Sequence, residues 1–403
     1  RAGSAERANG HTFRHLTRRS LRGVASPNER ARTIQDEIAD AHVCLKRLFP
    51  EIERVAAAVY DPKTDLLKTF AHSTDGGNPL ELYEARLADS PSLSRLAQSG
   101  DNRVVDDLNT LADSPHEHTR RLIERGYRSS YTMPLFEGGR LFGFLFFDSR
   151  EPGYFRPLLV EHLAIFARLL TLALSQGFAQ TRMLESALRV ATRLTHYRDP
   201  ETRGHLDRMA RCSRLIARVL APEHGLSDEF VESILRFAPL HDIGKIGVPD
   251  NILLKKGPLT PAEFEVMQSH VLKGVEIVDG ILSELDLGAV GHLDMLRNVV
   301  HFHHESVDGS GYPQGLRGPE IPIEARIVKV ADVFDALTSR RPYKKAWPVE
   351  DALRFLTDGA GGQFDPGCVS ALVAHAEEAT SLLRRFTDPE DAEQSREGYS
   401  LEL

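Results

Sequence analysis

Histidines and acidic residues of the kind that bind divalent metal ions recur through the second half of this 403-residue chain. Imidazole nitrogens and carboxylate oxygens together suit iron, manganese, zinc and similar ions. Glu201 and His205 are four residues apart, so on a helix they share one face. The candidate ligands are Glu201, His205, His241, Asp242, His270, His303, His304 and Asp332.

The combination of these residues carries more weight than any one of them, because a single buried histidine is more often a hydrogen-bonded core residue than a ligand. His241–Asp242 and His303–His304 are adjacent pairs, and each follows an apolar helical run whose end can present both side chains to one cavity. Asp242 has two carboxylate oxygens and can bridge two ions. No convincing Ser-His-Asp or Cys-His arrangement accompanies them. A cluster of metal ions is therefore predicted.

Helices are expected to position these ligands, since the chain from residue 180 onward has apolar residues at helical spacing almost throughout. The segments are Ser213 to Leu220, Phe230 to Leu240, Ala262 to Leu282, Met295 to His304, Ile323 to Ser339, Val349 to Leu356 and Val369 to Phe386. This half of the chain is predicted to be an all-α domain.

The first half has a different pattern, with a helix over residues 31–49 and a buried strand over Val55 to Tyr60. A turn leads to a return strand over Leu66 to Ala71. Residues 130–134 and 140–148 flank the turn Glu137-Gly138-Gly139 and predict a second hairpin, and a long helix follows from about Pro157. An α/β (α+β) domain is expected.

This order of elements, and the segment Leu135-Phe-Glu-Gly-Gly-Arg-Leu-Phe-Gly-Phe-Leu-Phe-Phe-Asp-Ser149 in particular, resembles a GAF sensory domain, here placed over residues 31–178. The resemblance implies a domain that binds a small molecule, such as a cyclic nucleotide or haem, or that dimerises. Nothing in the sequence selects the ligand. Its candidate haem-ligating histidines, better explained as ordinary polar residues, are His42, His72, His116 and His118.

A linker helix over residues 179–200 is expected to continue into the output domain. Apolar residues at helical spacing form a stripe along the long helix. They are Leu163, Phe166, Leu170, Leu174, Leu184, Leu188 and Ala191. The stripe predicts a coiled-coil seam of a homodimer, favoured for its second half, while packing on its own domain is an equal alternative for the first half.

Residues 183–386 resemble an HD-GYP domain, a subgroup of the HD phosphohydrolase superfamily. The matching segments are His241-Asp-Ile-Gly-Lys245-Ile-Gly-Val-Pro249, His270 with Gly274, His303-His-Glu-Ser-Val-Asp-Gly-Ser-Gly-Tyr-Pro313, Ile321-Pro322, Arg326 to Leu337, Arg341-Pro-Tyr-Lys344 and Gly362-Gln-Phe-Asp-Pro366. The resemblance implies an all-helical enzyme that hydrolyses cyclic di-GMP to pGpG, often onward to GMP.

The resemblance also implies a role for each ligand. The basic HD set would be His205, His241, Asp242 and Asp332, and a second ion would be held by His270, His303 and His304, with Asp242 as the bridge. Glu201 matches a position that supports a third ion in some members. Two or three divalent ions are therefore expected, with a trinuclear iron or manganese site favoured.

Substrate contacts are implied by the same resemblance. Lys245 matches a position that contacts the scissile phosphate, and Arg341 and Lys344 match positions that hold the substrate phosphates. The loop Gly311-Tyr312-Pro313 matches a family loop near the active site that is linked to GGDEF-domain partners; by composition it is a structural turn. The chemistry agrees, because two metal ions can neutralise a phosphodiester and activate a water without a protein nucleophile.

Composition limits the classes of protein further. Hydrophobic residues make up 41% and charged residues 27%, as in soluble globular proteins, and the length predicts two domains. A net charge of −8 argues against general nucleic-acid binding but not against a phosphodiester held through metal ions. The dispersed Cys44, Cys212 and Cys368 indicate reduced thiols in a cytoplasm.

The ends of the chain and its most apolar stretch complete the expectations. Residues 1–30 are expected to form a basic arm and residues 387–403 an acidic tail. No secretory leader is evident, and polar residues interrupt Leu158 to Ala179, so no membrane span is predicted. Two rival functions remain open: hydrolysis of another cyclic dinucleotide such as 3′,3′-cGAMP or of another phosphoester, and a non-catalytic receptor or scaffold.

Overall fold

The computed structural model describes residues 33–112, 116–196, 203–285, 292–339 and 346–386. The predicted basic arm over 1–30 and the acidic tail over 387–403 lie outside these residues. Within them, an α/β domain precedes a helical domain, and one long helix joins the two. The predicted fold class is confirmed.

The first domain is built on a six-stranded sheet of order β3-β2-β1-β6-β5-β4, in which each described pair is antiparallel. The strands are β1 (Arg54–Asp61), β2 (Leu66–Thr74), β3 (Glu84–Arg86), β4 (Arg103–Val105), β5 (Ser129–Glu137) and β6 (Arg140–Ser149). The helices are α1 (Ile34–Lys46), α2 (Pro91–Ser99) and α3 (Glu117–Glu124). The two predicted hairpins are β1–β2 and β5–β6, and they meet where β1 pairs with β6.

The central strand β1 is buried on both faces of the sheet. Val55, Ala57 and Val59 belong to the apolar core that α1 completes. Ala56 and Ala58, at the alternate positions, line a cavity on the opposite side of the sheet. The alanine-rich strand β1 therefore separates the packed core on one face of the sheet from the cavity on the other face.

Helix α4 (Pro157–His196) runs without a break through 40 residues and contributes to both domains. Leu163, Leu170 and Leu174 lie in the core of the first domain, whereas Leu184 and Leu188 are fully buried in the core of the second. The stripe chosen from the sequence, including Phe166 and Ala191, thus packs within the chain. This confirms the alternative of packing on its own domain for the first half of the stripe, and the prediction that the second half forms the seam between two protomers is wrong. Period alone does not tell which apolar face a neighbouring element covers.

By length and hydropathy, residues Pro157–Leu188 of α4 also pass as a candidate membrane span, with 22% of the most apolar window buried within the protein. A core helix of a soluble protein passes the same test. Because Leu163, Leu170 and Leu174 pack in a protein core, part of this apolar character is explained by the fold itself.

Ten helices of the second domain lie within the described residues. They are α5 (Arg203–His224), α6 (Asp228–Phe237), α7 (Asp250–Leu253), α8 (Pro261–Gln268), α9 (His270–Glu284), α10 (Leu293–Phe302), α11 (Ile323–Thr338), α12 (Val349–Asp358), α13 (Pro366–Ala374) and α14 (Ala376–Arg385). Helix α11 is central, since Ile327, Val330 and Phe334 are fully buried against its neighbours.

Buried ion pairs connect the two domains. Lys68 on β2 has a side chain only 2% exposed, and its amino group lies 3.1 Å from Glu232 on α6 and 3.7 Å from Asp61. Asp61 in turn lies 3.1 Å from Arg211 on α5. Since a buried charge without its partner costs several kcal/mol, these groups hold the domains in register with one another.

Candidate metal centre

Five segments bring the predicted metal ligands to one place in the helical domain. His205 lies on α5, His241 and Asp242 lie in the short turns after α6, His270 begins α9, His303 and His304 follow α10, and Asp332 lies on α11. Ends of helices supply most of them, because a side chain at a helix end can turn into the space between neighbouring helices. The ligands converge although up to 127 residues separate them along the chain, as between His205 and Asp332.

A glycine permits the closest approach among these segments. A Cβ atom on Gly244 would lie 1.8 Å from the carbonyl oxygen of His270 and 2.5 Å from the nitrogen of Gly274. Any larger residue would push the turn that carries His241 and Asp242 away from α9. The Gly of the His-Asp-Ile-Gly segment thus sets the spacing of the site.

The first group of ligands surrounds Asp242. The Nε2 atom of His270 lies 3.2 Å, and that of His303 3.6 Å, from Asp242 Oδ1. With His304 they offer ligand atoms within 4.8 Å of one another. A single ion placed among these atoms would be reached by three imidazoles and a carboxylate, a donor set that suits Fe, Mn or Zn.

The second group lies beside the first. His205, His241 and Asp332 also offer ligand atoms within 4.8 Å of one another. His241 Nε2 is 3.1 Å from Asp242 Oδ2, the carboxylate oxygen that the first group does not use. Asp242 therefore stands between the two groups with one oxygen toward each, which is the placement a bridging ligand needs.

Hydrogen bonds fix which ring nitrogen each histidine presents. The Nδ1 atoms of His241, His270 and His303 lie 3.0, 2.8 and 2.9 Å from backbone carbonyl oxygens, which only accept. Each Nδ1 is therefore the protonated donor, and each Nε2 keeps its lone pair toward the centre. His205 has the same arrangement, with Nδ1 2.7 Å from the carboxylate of Asp335.

Several polar atoms at the centre are buried and make no hydrogen bond to the described residues. They include the Nε2 atoms of His270 and His303 and the Oδ1 atom of Asp242. Buried polar atoms without partners are costly and rare in folded proteins. A cation that accepts these lone pairs would satisfy all three, so the residues fit a bound metal ion.

The charge states of these residues also fit metal binding. Burial lowers the pKa of His303 and holds that of His304 well below its usual value, so both rings are neutral ligands at pH 7. Burial opposes ionisation of Asp242, but the nearby Lys245 holds its pKa well below the usual range. The carboxylate is therefore charged.

Asp335 supports a candidate ligand of the centre, and the sequence reasoning missed it. Its side chain is completely buried, and it accepts hydrogen bonds from His205 Nδ1 at 2.7 Å and from Arg208 Nε at 2.6 Å. It orients the ring of His205 while Arg208 balances its charge. Asp332 and Asp335 are three residues apart on α11, and that spacing was the available signal.

Glu305 and Lys329 were also missed, and both hold the loop after the His-His pair. The buried carboxylate of Glu305 accepts hydrogen bonds from the backbone N–H groups of Gln314 at 2.7 Å and Leu316 at 3.0 Å. The amino group of Lys329 donates to the carbonyl oxygens of His304 at 3.2 Å and Glu305 at 2.6 Å. Their sequence signal is weak, since each stands among residues typical of an ordinary helix or turn.

The loop Gly311-Tyr312-Pro313 lies against the metal ligands. The ring of Tyr312 stacks on His304 with ring centroids 4.7 Å apart. A Cβ on Gly311 would lie 2.3 Å from the nitrogen of Ser306, so only glycine allows the loop to pack this closely on the His-His segment. Tyr312 is therefore placed to limit the movement of His304.

Of the predicted substrate residues, Lys245 lies within the centre, with its amino group 2.8 Å from Asp242 Oδ2. Glu201, Arg341 and Lys344 lie outside the described residues, so the third ion and the phosphate contacts of Arg341 and Lys344 stay predictions.

Among the candidate haem-ligating histidines of the first domain, His42 has both ring nitrogens in hydrogen bonds. Its Nδ1 atom bonds to the hydroxyl group of Ser73, and its Nε2 atom bonds to the carbonyl oxygen of Ile52.

Comparison with known families agrees with this architecture. The family model described as HD domain matches residues 199–368, and that described as GAF domain matches residues 36–175. The chain therefore contains a GAF domain followed by an HD domain. The GAF domain thus precedes the part of the chain that carries the candidate metal ligands.

Individual curated relatives have names that are more specific than those of the two domain families. The chain is 46% identical over 213 residues to the cyclic di-GMP phosphodiesterase response regulator RpfG of Xanthomonas campestris pv. campestris, covering 53% of each chain. It is 45% identical over 206 residues to a cyclic di-GMP phosphodiesterase of Thermotoga maritima, covering 51% of this chain and 53% of the relative. It is 38% identical over 191 residues to the 3′3′-cGAMP-specific phosphodiesterase 2 of Vibrio cholerae serotype O1, covering 47% of this chain and 34% of the relative.

The chain spans about half the length of the curated relatives it matches. Together with the two domain matches, they confirm the predicted resemblance to cyclic di-GMP phosphodiesterases of the HD superfamily, here with a GAF domain.

Proposed function

We propose that this chain is a metal-dependent phosphodiesterase that hydrolyses cyclic di-GMP to pGpG, GMP or both, under the control of its GAF domain. The observation that carries the proposal is the set of histidines whose Nδ1 atoms are tied to protein acceptors while their Nε2 atoms face Asp242 or Asp332. That arrangement presents lone pairs to cations, and two adjoining groups of ligands suit a pair of ions.

Divalent ions bound there would neutralise the phosphodiester and lower the pKa of a bound water. The chain's own residues supply the rest. Asp242 holds both ligand groups at a fixed spacing, and Lys245 brings a positive charge to the edge of the centre, where it would stabilise charge that develops on a phosphoryl oxygen. Arg341 and Lys344 are proposed to hold the phosphates of the substrate.

Iron or manganese in a trinuclear site, with Glu201 supporting the third ion, is the metal assignment that we propose. Mixed imidazole and carboxylate ligands suit both metals. A binuclear site is the alternative, formed by the two groups of described ligands alone.

Turnover by the purified full chain is the direct test. After anaerobic purification and loading with iron or manganese, we expect chromatography to show pGpG or GMP formed from cyclic di-GMP, and a chelated sample to form neither. Rates on 3′,3′-cGAMP and other cyclic dinucleotides decide the substrate. Binding of cyclic di-GMP without turnover in either metal would contradict the proposal and support a receptor or scaffold.

A homodimer formed through α4 is the second part of the proposal. Its exposed face carries Leu158, Ile165 and Leu172 at seven-residue spacing, with Leu169 and Met183 on the same side. These side chains are 46 to 67% exposed. A seven-residue apolar repeat is typical of a two-stranded coiled coil, so a second copy of this helix is the occupant that fits.

Replacing Leu172 with glutamate is expected to weaken this dimer by about tenfold or more, because each dimer would bury two charges in an apolar seam. Sedimentation at several protein concentrations would measure the change. Leu272, which is 50% exposed on α9, provides the matched control through the same Leu→Glu substitution. A monomeric wild-type chain, or an equal effect of both substitutions, would refute the seam.

The remaining assignments concern partners and location. We propose a cytoplasmic protein, supported by the GAF and HD domains and by free cysteines at Cys44, Cys212 and Cys368. A GGDEF-domain protein is a candidate partner for the loop Gly311-Tyr312-Pro313.

A further inference from the structure

The cavity of the GAF domain has the size of a ligand site. It encloses about 540 Å³ on the face of the sheet opposite α1. Ala56 and Ala58 on β1 and Phe146 on β6 form part of its floor, and Leu93 and Leu122, from α2 and α3, contribute to its wall. Pockets of 300–1,000 Å³ with mainly apolar walls are typical sites for small organic molecules.

The charges around this cavity are unequal. Four arginines line it, of which Arg86 and Arg95 are exposed and Arg54 and Arg103 are not. The lining also includes His72, His116 and His118, while Asp228 is the one carboxylate among the described lining residues. Burial lowers the pKa of His72 and of His118 to about 4, so both rings are neutral donors and acceptors at pH 7. The permanent charge therefore comes from the guanidinium groups.

Of the two guanidinium groups that are shielded from solvent, the buried Arg54 and the partly buried Arg103, only Arg54 forms an ion pair with a described residue. Arg54 lies 2.5 Å from the buried Asp148. Arg103 instead donates to the hydroxyl groups of Ser92 at 2.6 Å and Thr132 at 3.3 Å, and its Nε atom is buried without a hydrogen bond. Among the described residues no carboxylate forms an ion pair with it.

The hydroxyl groups that Arg103 faces are neutral, and the buried Asp148, which pairs with Arg54, offsets only part of the loss of hydration of Arg103. Desolvation accordingly lowers the pKa of Arg103. A carboxylate, phosphate or sulfonate on a ligand can supply an anion in the planar, two-pronged geometry that arginine favours.

The HD domain reaches into the same cavity. Asp228, the first residue of α6, is 7% exposed and lines the cavity. Its Oδ1 atom accepts hydrogen bonds from the hydroxyl group of Thr69 at 2.9 Å and from the N–H group of Leu82 at 2.8 Å, both in the GAF domain. One turn further along α6, Glu232 pairs with Lys68 of the GAF domain.

We propose that this cavity binds a small organic anion with an apolar, ring-sized body, that Arg103 holds its anionic group, and that Asp228 places the HD domain in contact with the bound molecule. The apolar walls accept the body of the ligand, and the surplus positive charge selects an anion over a neutral molecule. Since Asp228 begins α6, a ligand that fills the cavity restrains a helix of the HD domain. The binding claim stands without the proposed phosphodiesterase activity.

A pair of fluorescent probes tests the charge requirement on the full chain. 8-Anilinonaphthalene-1-sulfonate and N-phenyl-1-naphthylamine share the same rings, and only the first carries an anion. We expect the sulfonate to bind wild type about tenfold or more tightly than the neutral probe, a difference of about 1.4 kcal/mol. Arg103→Gln should abolish that preference and leave the affinity for the neutral probe unchanged.

Two further variants locate the bound probe. Ala56→Phe should fill the floor of the cavity and abolish binding of both probes, whereas Arg140→Gln, at the exposed start of β6, should change neither affinity. Circular dichroism during thermal unfolding checks that each variant is folded. The proposal is refuted if Ala56→Phe folds and binds the sulfonate normally, or if Arg103→Gln keeps the preference for the anion.

Hydrogen exchange tests the contact with the HD domain without any assay of activity. Saturation with the sulfonate probe should slow amide exchange in α6, and α12, which lies outside the cavity, should be unaffected. Equal exchange in α6 with and without the probe would overturn the role given to Asp228. A chain that binds the probe in this way and yet lacks turnover would contradict only the proposed phosphodiesterase.

Discussion

Replacement of Asp242 with alanine is expected to remove bound metal and to lower turnover of cyclic di-GMP by a factor on the order of a thousand or more. Asp242 lies 3.2 Å from the Nε2 atom of His270 on one side and 3.1 Å from that of His241 on the other. Without its carboxylate the two ligand groups lose their shared anion, and the ions would repel each other across the gap. Metal analysis by mass spectrometry and product chromatography measure the two effects.

Asp294→Ala is the matched control for this experiment, because the side chain of Asp294 is 96% exposed and lies outside the ligand groups. It should retain both metal and turnover. A folded Asp242→Ala protein with a full complement of metal and near-normal activity would show that Asp242 is not the bridge. Loss of metal from both variants would instead indicate damage unrelated to the site.

Replacement of Asp335 with alanine is expected to lower the free energy of unfolding by about 3–5 kcal/mol, because the buried Arg208 would lose the carboxylate that balances its charge. Arg208 Nε lies 2.6 Å from Asp335 Oδ1. The same change frees the ring of His205, so metal affinity should fall by about 10–100-fold. Denaturant unfolding gives the first quantity, and competition with a metal chelator gives the second.

Arg208→Met separates the two effects of Asp335. It removes the cation but retains the hydrogen bond between Asp335 and His205, so it should destabilise the fold with a smaller loss of metal affinity. If Asp335→Ala destabilised the protein and left metal affinity unchanged, Asp335 would have a purely structural role. Equal losses of metal affinity in Asp335→Ala and Arg208→Met would also mean that Asp335 has a purely structural role.

Most of the fold and the candidate ligands were predictable from local pattern. Helical spacing after residue 180 and two hairpins before it led to the correct order of domains. The metal ligands stand out because histidine and aspartate occur as adjacent pairs at the ends of apolar runs. These signals lie within a few residues of one another, so they do not depend on tertiary packing.

The supporting residues of the centre could not be recognised in the same way. Glu305 acts by accepting hydrogen bonds from Gln314 and Leu316, and Lys329 acts on carbonyl groups more than 20 residues away in sequence. Such roles depend on which backbone atoms a fold brings near a side chain. Residue type and spacing therefore contain little information about them.

Helix α4 shows most clearly what sequence and structure each determined. The sequence by itself determined that it is a long amphipathic helix, because apolar residues recur at helical spacing along it. Only the tertiary structure decided that Leu163 and Leu188 face the cores of the two domains while Ile165 stays exposed. The same holds for Asp228, whose position in the GAF cavity arises from the packing of two domains. The physical reason is that burial is a property of neighbouring elements, whereas periodicity is a property of one.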